Sequence, residues 1–157
     1  MRRHPAEGPS IGLSNRPGAR MDKPRWLTIL AEAYEEANQV QDALDAVSQA
    51  LVVVQETGEC IFEARLRHLR GELLLKQSGD EAATHAETCF HEAIAAARGQ
   101  EARSWELRAS ISLAQLWRRQ NKCRKARDLL APVYAAFAEG FDTADLKAAK
   151  GLLEELA

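Results

Sequence analysis

Leu113-Ala114-Gln115-Leu116-Trp117, followed by Ala126-Arg127-Asp128-Leu129-Leu130-Ala131-Pro132-Val133, is the stretch on which the fold turns. A small residue follows a large one, an aromatic comes three places later, and Ala126, Leu130 and Val133 then share one helical face. The arrangement occurs twice upstream. It appears as Leu30-Ala31-x-x-Tyr34 with Ala43-x-x-x-Val47-x-x-Ala50, and as Gly71-x-x-Leu74 with Ala86-x-x-x-Phe90-x-x-Ala93. A recurrence of roughly forty residues marks an array of structural repeats. Small residues at fixed offsets let two helices approach closely, and the large residues between them fill the seam. The sequence therefore predicts an all-α fold, a stack of three antiparallel helical hairpins that presents a surface.

The breaks between helices have a local cause. Asn38, Gly58, Gly79, Gly99, Asn121 and Gly140 each follow a helical pattern, and these residue types tolerate the left-handed conformation that ends a helix. Helices are predicted over 24–37, 40–57, 60–77, 81–98, 101–120 and 123–138, and short connections make neighbours run opposite ways. Pro132 removes one backbone bond from the sixth helix and is expected to kink it near 128–130. Thr143 can cap a seventh helix, about 143–156, whose Leu146, Ala149, Leu153 and Leu156 cover the open edge of the last hairpin. Residues 1–22 carry Pro5, Pro9 and Pro17 with Gly8, Gly12 and Gly18, and read as a disordered arm ahead of a repeat domain at 23–157. Met21 is an alternative start to Met1.

Bulk properties narrow the function classes. A net charge of -2 over 157 residues gives no general drive toward nucleic acid or an anionic membrane. No apolar run approaches the ~20 residues of a membrane span, and Met1-Arg2-Arg3-His4-Pro5 has no apolar stretch of a secretory signal behind it. Cys60, Cys89 and Cys123 are odd in number and form no C-x-x-C pair, as expected of reduced thiols in a cytoplasmic protein.

The recurring block resembles the tetratricopeptide repeat, W-x-x-L-G-x-x-Y followed by A-x-x-x-F-x-x-A, over about residues 24 to 138. Leu74 stands where the family has its tyrosine, and Val133 where it has the final alanine. The runs Arg67-His68-Leu69-Arg70-Gly71-Glu72-Leu73-Leu74-Leu75, Ala102-Arg103-Ser104-Trp105-Glu106-Leu107-Arg108-Ala109 and Glu139-Gly140-Phe141-Asp142-Thr143-Ala144-Asp145-Leu146-Lys147 carry a narrower resemblance. They are similar to the C-terminal repeat region of large bacterial signalling proteins that join a class III nucleotide cyclase, or a regulator's DNA-binding domain, to an ATPase module. The resemblance implies a right-handed stack that binds protein or peptide in signalling or transcriptional regulation. It implies no catalysis here, because the chain has no G-x-x-x-x-G-K-[ST] phosphate loop and no cyclase metal-binding Asp pair can be placed on it. A detached C-terminal fragment of such a multidomain protein is the alternative.

The first helix of each hairpin is expected to line a concave groove. Aligning the copies on Ala31, Gly71 and Ala114 sets Arg25, Arg65 and Arg108 in one column. Thr28, His68 and Ile111 form the next, and Glu32, Glu72 and Gln115 the third. Guanidinium groups pair with carboxylate or phosphate, while the two glutamates point to a mixed-charge peptide. A turn bearing Arg118, Arg119, Lys122, Arg124, Lys125 and Arg127 is a candidate basic patch, but no aromatic is interleaved, which argues against nucleic acid. His85 and Cys89 share a helical face that His91 does not, too few ligands for Zn²⁺. Ser104, Ser110, Ser112 and the histidines show no nucleophile and base pairing. Trp26, Trp105, Trp117, Tyr34, Phe90, Phe137 and Phe141 read as seam fillers. The expectation is a non-enzymatic scaffold without cofactor or metal, with a homodimer through the uncapped first hairpin as a further partner.

Overall fold

The computed structural model describes residues 17–77 and 79–157, with side chains from residue 23 onward. Among the described residues the protein is all-helical, with no strand. Its helices are α1 (Pro17–Glu36), α2 (Val40–Thr57), α3 (Glu63–Lys76), α4 (Asp80–Gly99), α5 (Arg103–Arg119), α6 (Cys123–Ala135) and α7 (Ala144–Leu156). A 3-10 turn, Cys60–Phe62, leads into α3. Most of the arm expected over 1–22 lies outside the described residues; from Pro17 on, the chain is already helical. No described helix is long and apolar enough to cross a membrane.

Helix ends follow the local chemistry of the chain. Asn38, Gly58, Gly79, Asn121 and Gly140 all have positive φ. Gly99 departs from expectation: it lies inside α4, and the left-handed conformation falls on Glu101 at φ 55°. The chain closes identically after α1, α4 and α5. The N–H groups of Gln39, Ala102 and Lys122 donate to the carbonyls of Tyr34, Ala97 and Trp117, each at 2.8 Å. That bond requires the residue just before its donor to be left-handed, and a glycine two places earlier cannot serve. Glu101 therefore carries strain while its side chain is exposed. Replacing Glu101 with glycine is expected to raise stability by about 0.5–1 kcal/mol. A denaturation midpoint that stays put or falls would count against this.

Each helix packs mainly on its neighbours in the chain, with further contacts of α5 on α7, of α3 on α5 and of α1 on α3. The recurring positions form the seams: Ala31, Ala43, Val47, Ala50, Ala86, Phe90, Ala93, Leu113, Ala114, Ala126 and Leu130 are all fully buried. Two apolar clusters result. One joins α1, α2 and α3 through Ala31, Val47, Leu51, Val54, Leu66, Leu69 and Leu73. The other runs through α4 to α7, with Leu74 and Leu75 of α3 packed against it. Helix α3 serves both, and every residue from 62 to 75 is buried or half-buried.

Thr143 caps α7 as expected, its Oγ1 accepting from the Leu146 N–H at 3.4 Å. Leu152 is buried on that helix, whereas Leu153 is half-buried. Helix α6 continues through Pro132 and stops at Ala135, short of the expected 138. Trp26 and Phe141 do not fill seams. They are 57% and 47% exposed.

Candidate functional site

Residues three or four apart on a helix share a face, so Arg65, His68, Leu69 and Glu72 project from one side of α3. With Glu32 and Glu35 of α1 and Trp105 and Arg108 of α5, they line a cavity of about 290 Å³. Helix α3 supplies its floor, and the flanking helices supply opposite ends. Arg65 Nε donates to Glu32 Oε1 at 2.7 Å, tying α3 to α1. Lys76 Nζ lies 3.4 Å from Glu35. Arg108 Nε donates to Asp145 Oδ2 at 2.8 Å, tying α5 to α7. The guanidinium groups of Arg108 and Arg65 lie 4.7 and 5.8 Å from the Trp105 ring centre, within cation–π range. Charges of both signs are thus set around one half-buried aromatic.

A smaller cavity, about 210 Å³, adjoins it between α3 and α5. Glu72, Leu75, Lys76, Ser112, Gln115, Leu116 and Arg119 line it, so Glu72 belongs to both. The Ser112 hydroxyl donates to Glu72 Oε1 at 2.5 Å and lies 2.8 Å from His68 Nε2. His68 Nε2 is itself 3.5 Å from Glu72. Serine and glutamate meet the same ring nitrogen. The imidazole therefore does not stand between carboxylate and hydroxyl, as a nucleophile-activating triad needs.

Burial pushes the Glu72 carboxyl up, but the hydrogen bonds from His68 and Ser112, with attraction to His68 and Arg119, outweigh it and hold its pKa below the ordinary 4.5. The sign follows: a depressed carboxylate contributes stability above its unfolded pKa and loses it as pH falls through the folded one. The native chain is expected to exceed Glu72→Gln in stability at neutral pH, with the gap closing below 4.5. Denaturant unfolding across that range would refute this if the gap stayed constant.

Of the nine groove residues named from sequence, Glu32, Arg65, His68, Glu72 and Arg108 line the larger cavity, and Gln115 the smaller. Arg25 is exposed and lines neither. Thr28 and Ile111 are corrected to core positions. Thr28 has no exposed surface and donates to the Pro24 carbonyl at 2.6 Å, and Ile111 is 8% exposed. Their column lies only about 60° from the buried anchor residue at 100° per residue, while the other two lie near 100–120°. His68, in the same column, is half-buried and reaches across to Ser112 of α5. Trp105 and Ser112 were missed. Their spacing from Arg108, three before and four after, puts them on its face, and that signal was legible.

The basic turn is partly neutralised. Arg118 pairs with Glu155 of α7. Lys125 lies 4.0 Å from Glu87 and 4.3 Å from the Trp117 ring centre, and Arg119 faces the smaller cavity. Lys122, Arg124 and Arg127 are exposed. The Cys89 thiol is buried, which pushes its pKa up and suits packing rather than reactivity. The His91 ring lies 5.6 Å from that of Trp117, tilted at 55° to it. Among the described residues, no group of three or more His, Cys, Asp or Glu converges as metal ligands would.

No family model matches this sequence, and no curated protein matches it. The site is therefore read from its own chemistry.

Proposed function

We propose that the protein is a tetratricopeptide-like scaffold, a right-handed stack of the hairpins α1–α2, α3–α4 and α5–α6 closed by α7. It holds a mixed-charge peptide, or the matching surface of a partner domain, on the face made by α1, α3 and α5. One observation carries the reading: side chains from three distant stretches of sequence line a single cavity around Trp105. A segment crossing it would meet Glu32 and Glu35, then Arg65, His68 and Glu72, then Trp105 and Arg108. Three carboxylates disfavour a purely anionic ligand. Trp and Arg dominate binding energy at protein interfaces, and here both arginines already sit against the indole, which lowers the ordering cost of binding. The tetratricopeptide-like spacing of the sequence supports the same role, with a bacterial signalling assembly as its setting. The chain acts there without catalysis, whether alone or as the tail of a cyclase or ATPase-containing protein.

Affinity capture from the native cytoplasm, followed by partner identification, tests this. The captured partner is expected to bind the Trp105→Ala, Arg108→Ala double variant about ten- to a hundredfold more weakly, the loss of one or two central anchors. Equal binding to both forms would show that contact lies elsewhere.

A further inference from the structure

The first helices of the three hairpins carry equivalent seam positions, and α1 leaves them open. Counted from Ala31, Gly71 and Ala114, Trp26 corresponds to Leu66 and Ala109, both without exposed surface. Ile29 corresponds to Leu69 and Ser112, and Ala33 to Leu73 and Leu116, all buried. Leu30 corresponds on α5 to fully buried Leu113. Leu66, Leu69 and Leu73 share an apolar cluster with α2, Ala109, Leu113 and Leu116 share one with α4, and Ser112 meets α3. On α1, by contrast, Trp26 is 57%, Ile29 44% and Leu30 42% exposed, and Ala33 is exposed too. The stripe has the composition of a helix-packing seam.

Its pattern also identifies the occupant. Lys23, Trp26, Ile29, Leu30, Ala33 and Glu36 fall on one side of α1, within about 140° at 100° per residue. The order is self-complementary about the midpoint of Ile29 and Leu30. An antiparallel copy sets Ile29 against Leu30, the large Trp26 against the small Ala33, and Lys23 against Glu36. Both charged ends are exposed. We propose that the protein forms a symmetric dimer in which α1 packs antiparallel on α1 of a second copy. A two-fold interface uses the same patch twice, so every favourable pair occurs in duplicate. The end charges set direction and register more than strength. One helix stripe offers less than the standard interface of about 800 Å² per partner, so the dimer is expected to dissociate on dilution.

Sedimentation velocity of the full chain across a concentration series tests the proposal, independently of what the cavity face binds. The native protein is expected to approach the mass of two chains as concentration rises. Leu30→Glu should remain a single chain throughout, with its helical circular dichroism retained. Lys23→Glu and Glu36→Lys should each move association to higher concentration, and the two together should restore it. A native protein that stays monomeric overturns the proposal and assigns the stripe to a different polypeptide. Association that survives Leu30→Glu, or charge reversals that fail to rescue each other, overturns it as well.

Discussion

Replacing Phe90 with alanine is expected to destabilise the protein by roughly 3–5 kcal/mol. The ring has no exposed surface and lies in the apolar cluster that joins α4 to α7. It also reaches α3, where it meets the Gly71 backbone and lies 5.8 Å from the His68 ring. The cost of such a deletion depends on whether the surroundings can close over the gap. Here Gly71, Ala86 and Ala93 have no side-chain length to lean inward, so the cavity is expected to persist. Against a total stability of about 5–15 kcal/mol, this is a large fraction. Equilibrium unfolding in denaturant, followed by helical circular dichroism, measures it. A loss below about 1 kcal/mol would mean that α3 and α4 close over the gap, contrary to this reading.

The second large effect has the opposite geometry. Glycine inside an exposed helix usually costs about 1 kcal/mol relative to alanine, so Gly71→Ala would ordinarily stabilise α3. A methyl group at Gly71, however, would fall 2.5 Å from Phe90 Cε1 and 2.8 Å from Cδ1. Real carbon contacts are about 3.5–4.0 Å, so the ring or α4 itself would have to move. Overpacking of this kind costs about 1–3 kcal/mol, which outweighs the gain in helix propensity. The sign should reverse once the ring is gone. In a Phe90→Ala background, Gly71→Ala is expected to stabilise by roughly 1 kcal/mol. A double-mutant cycle over the four proteins reads this directly, and simple additivity would refute the proposed close approach.

The helix ends at Asn38, Gly58 and Asn121 were legible because their signals are local. Asn38, Gly58 and Asn121 adopt the left-handed conformation their types favour, whatever packs around them. Glu101 was not legible, because a closing hydrogen bond rather than residue type selects the left-handed position. The candidate site was legible in part for a similar reason. Columns read from repeat alignment give the side of a helix, but not the depth of the seam beside it. Short side chains such as Thr28 and Ile111 are lost in that seam, while the longer His68 reaches out of it. Aromatic residues misled in the other direction. Burial of Trp26 or Trp105 depends on which helix lies opposite, and nothing in the local sequence states that.

Helix α3 carries Arg65, Arg67, His68, Arg70 and Glu72 although it has no fully exposed residue between 62 and 75. Seams built from alanine and leucine hold few directional contacts, and on α3 the close fit of Phe90 over Gly71 is the exception. Displacing α3 along its axis by one turn, about 5.4 Å, would bring Arg67 or Leu75 to the place of Gly71 against the Phe90 ring. It would also part Arg65 from Glu32, Arg67 from Glu92, and Ser112 from both His68 and Glu72 in a single movement. These pairs, with Phe90 seated on Gly71, work as an indexing stop: oily contact holds the helices together, and the half-buried polar pairs and the glycine notch decide the register.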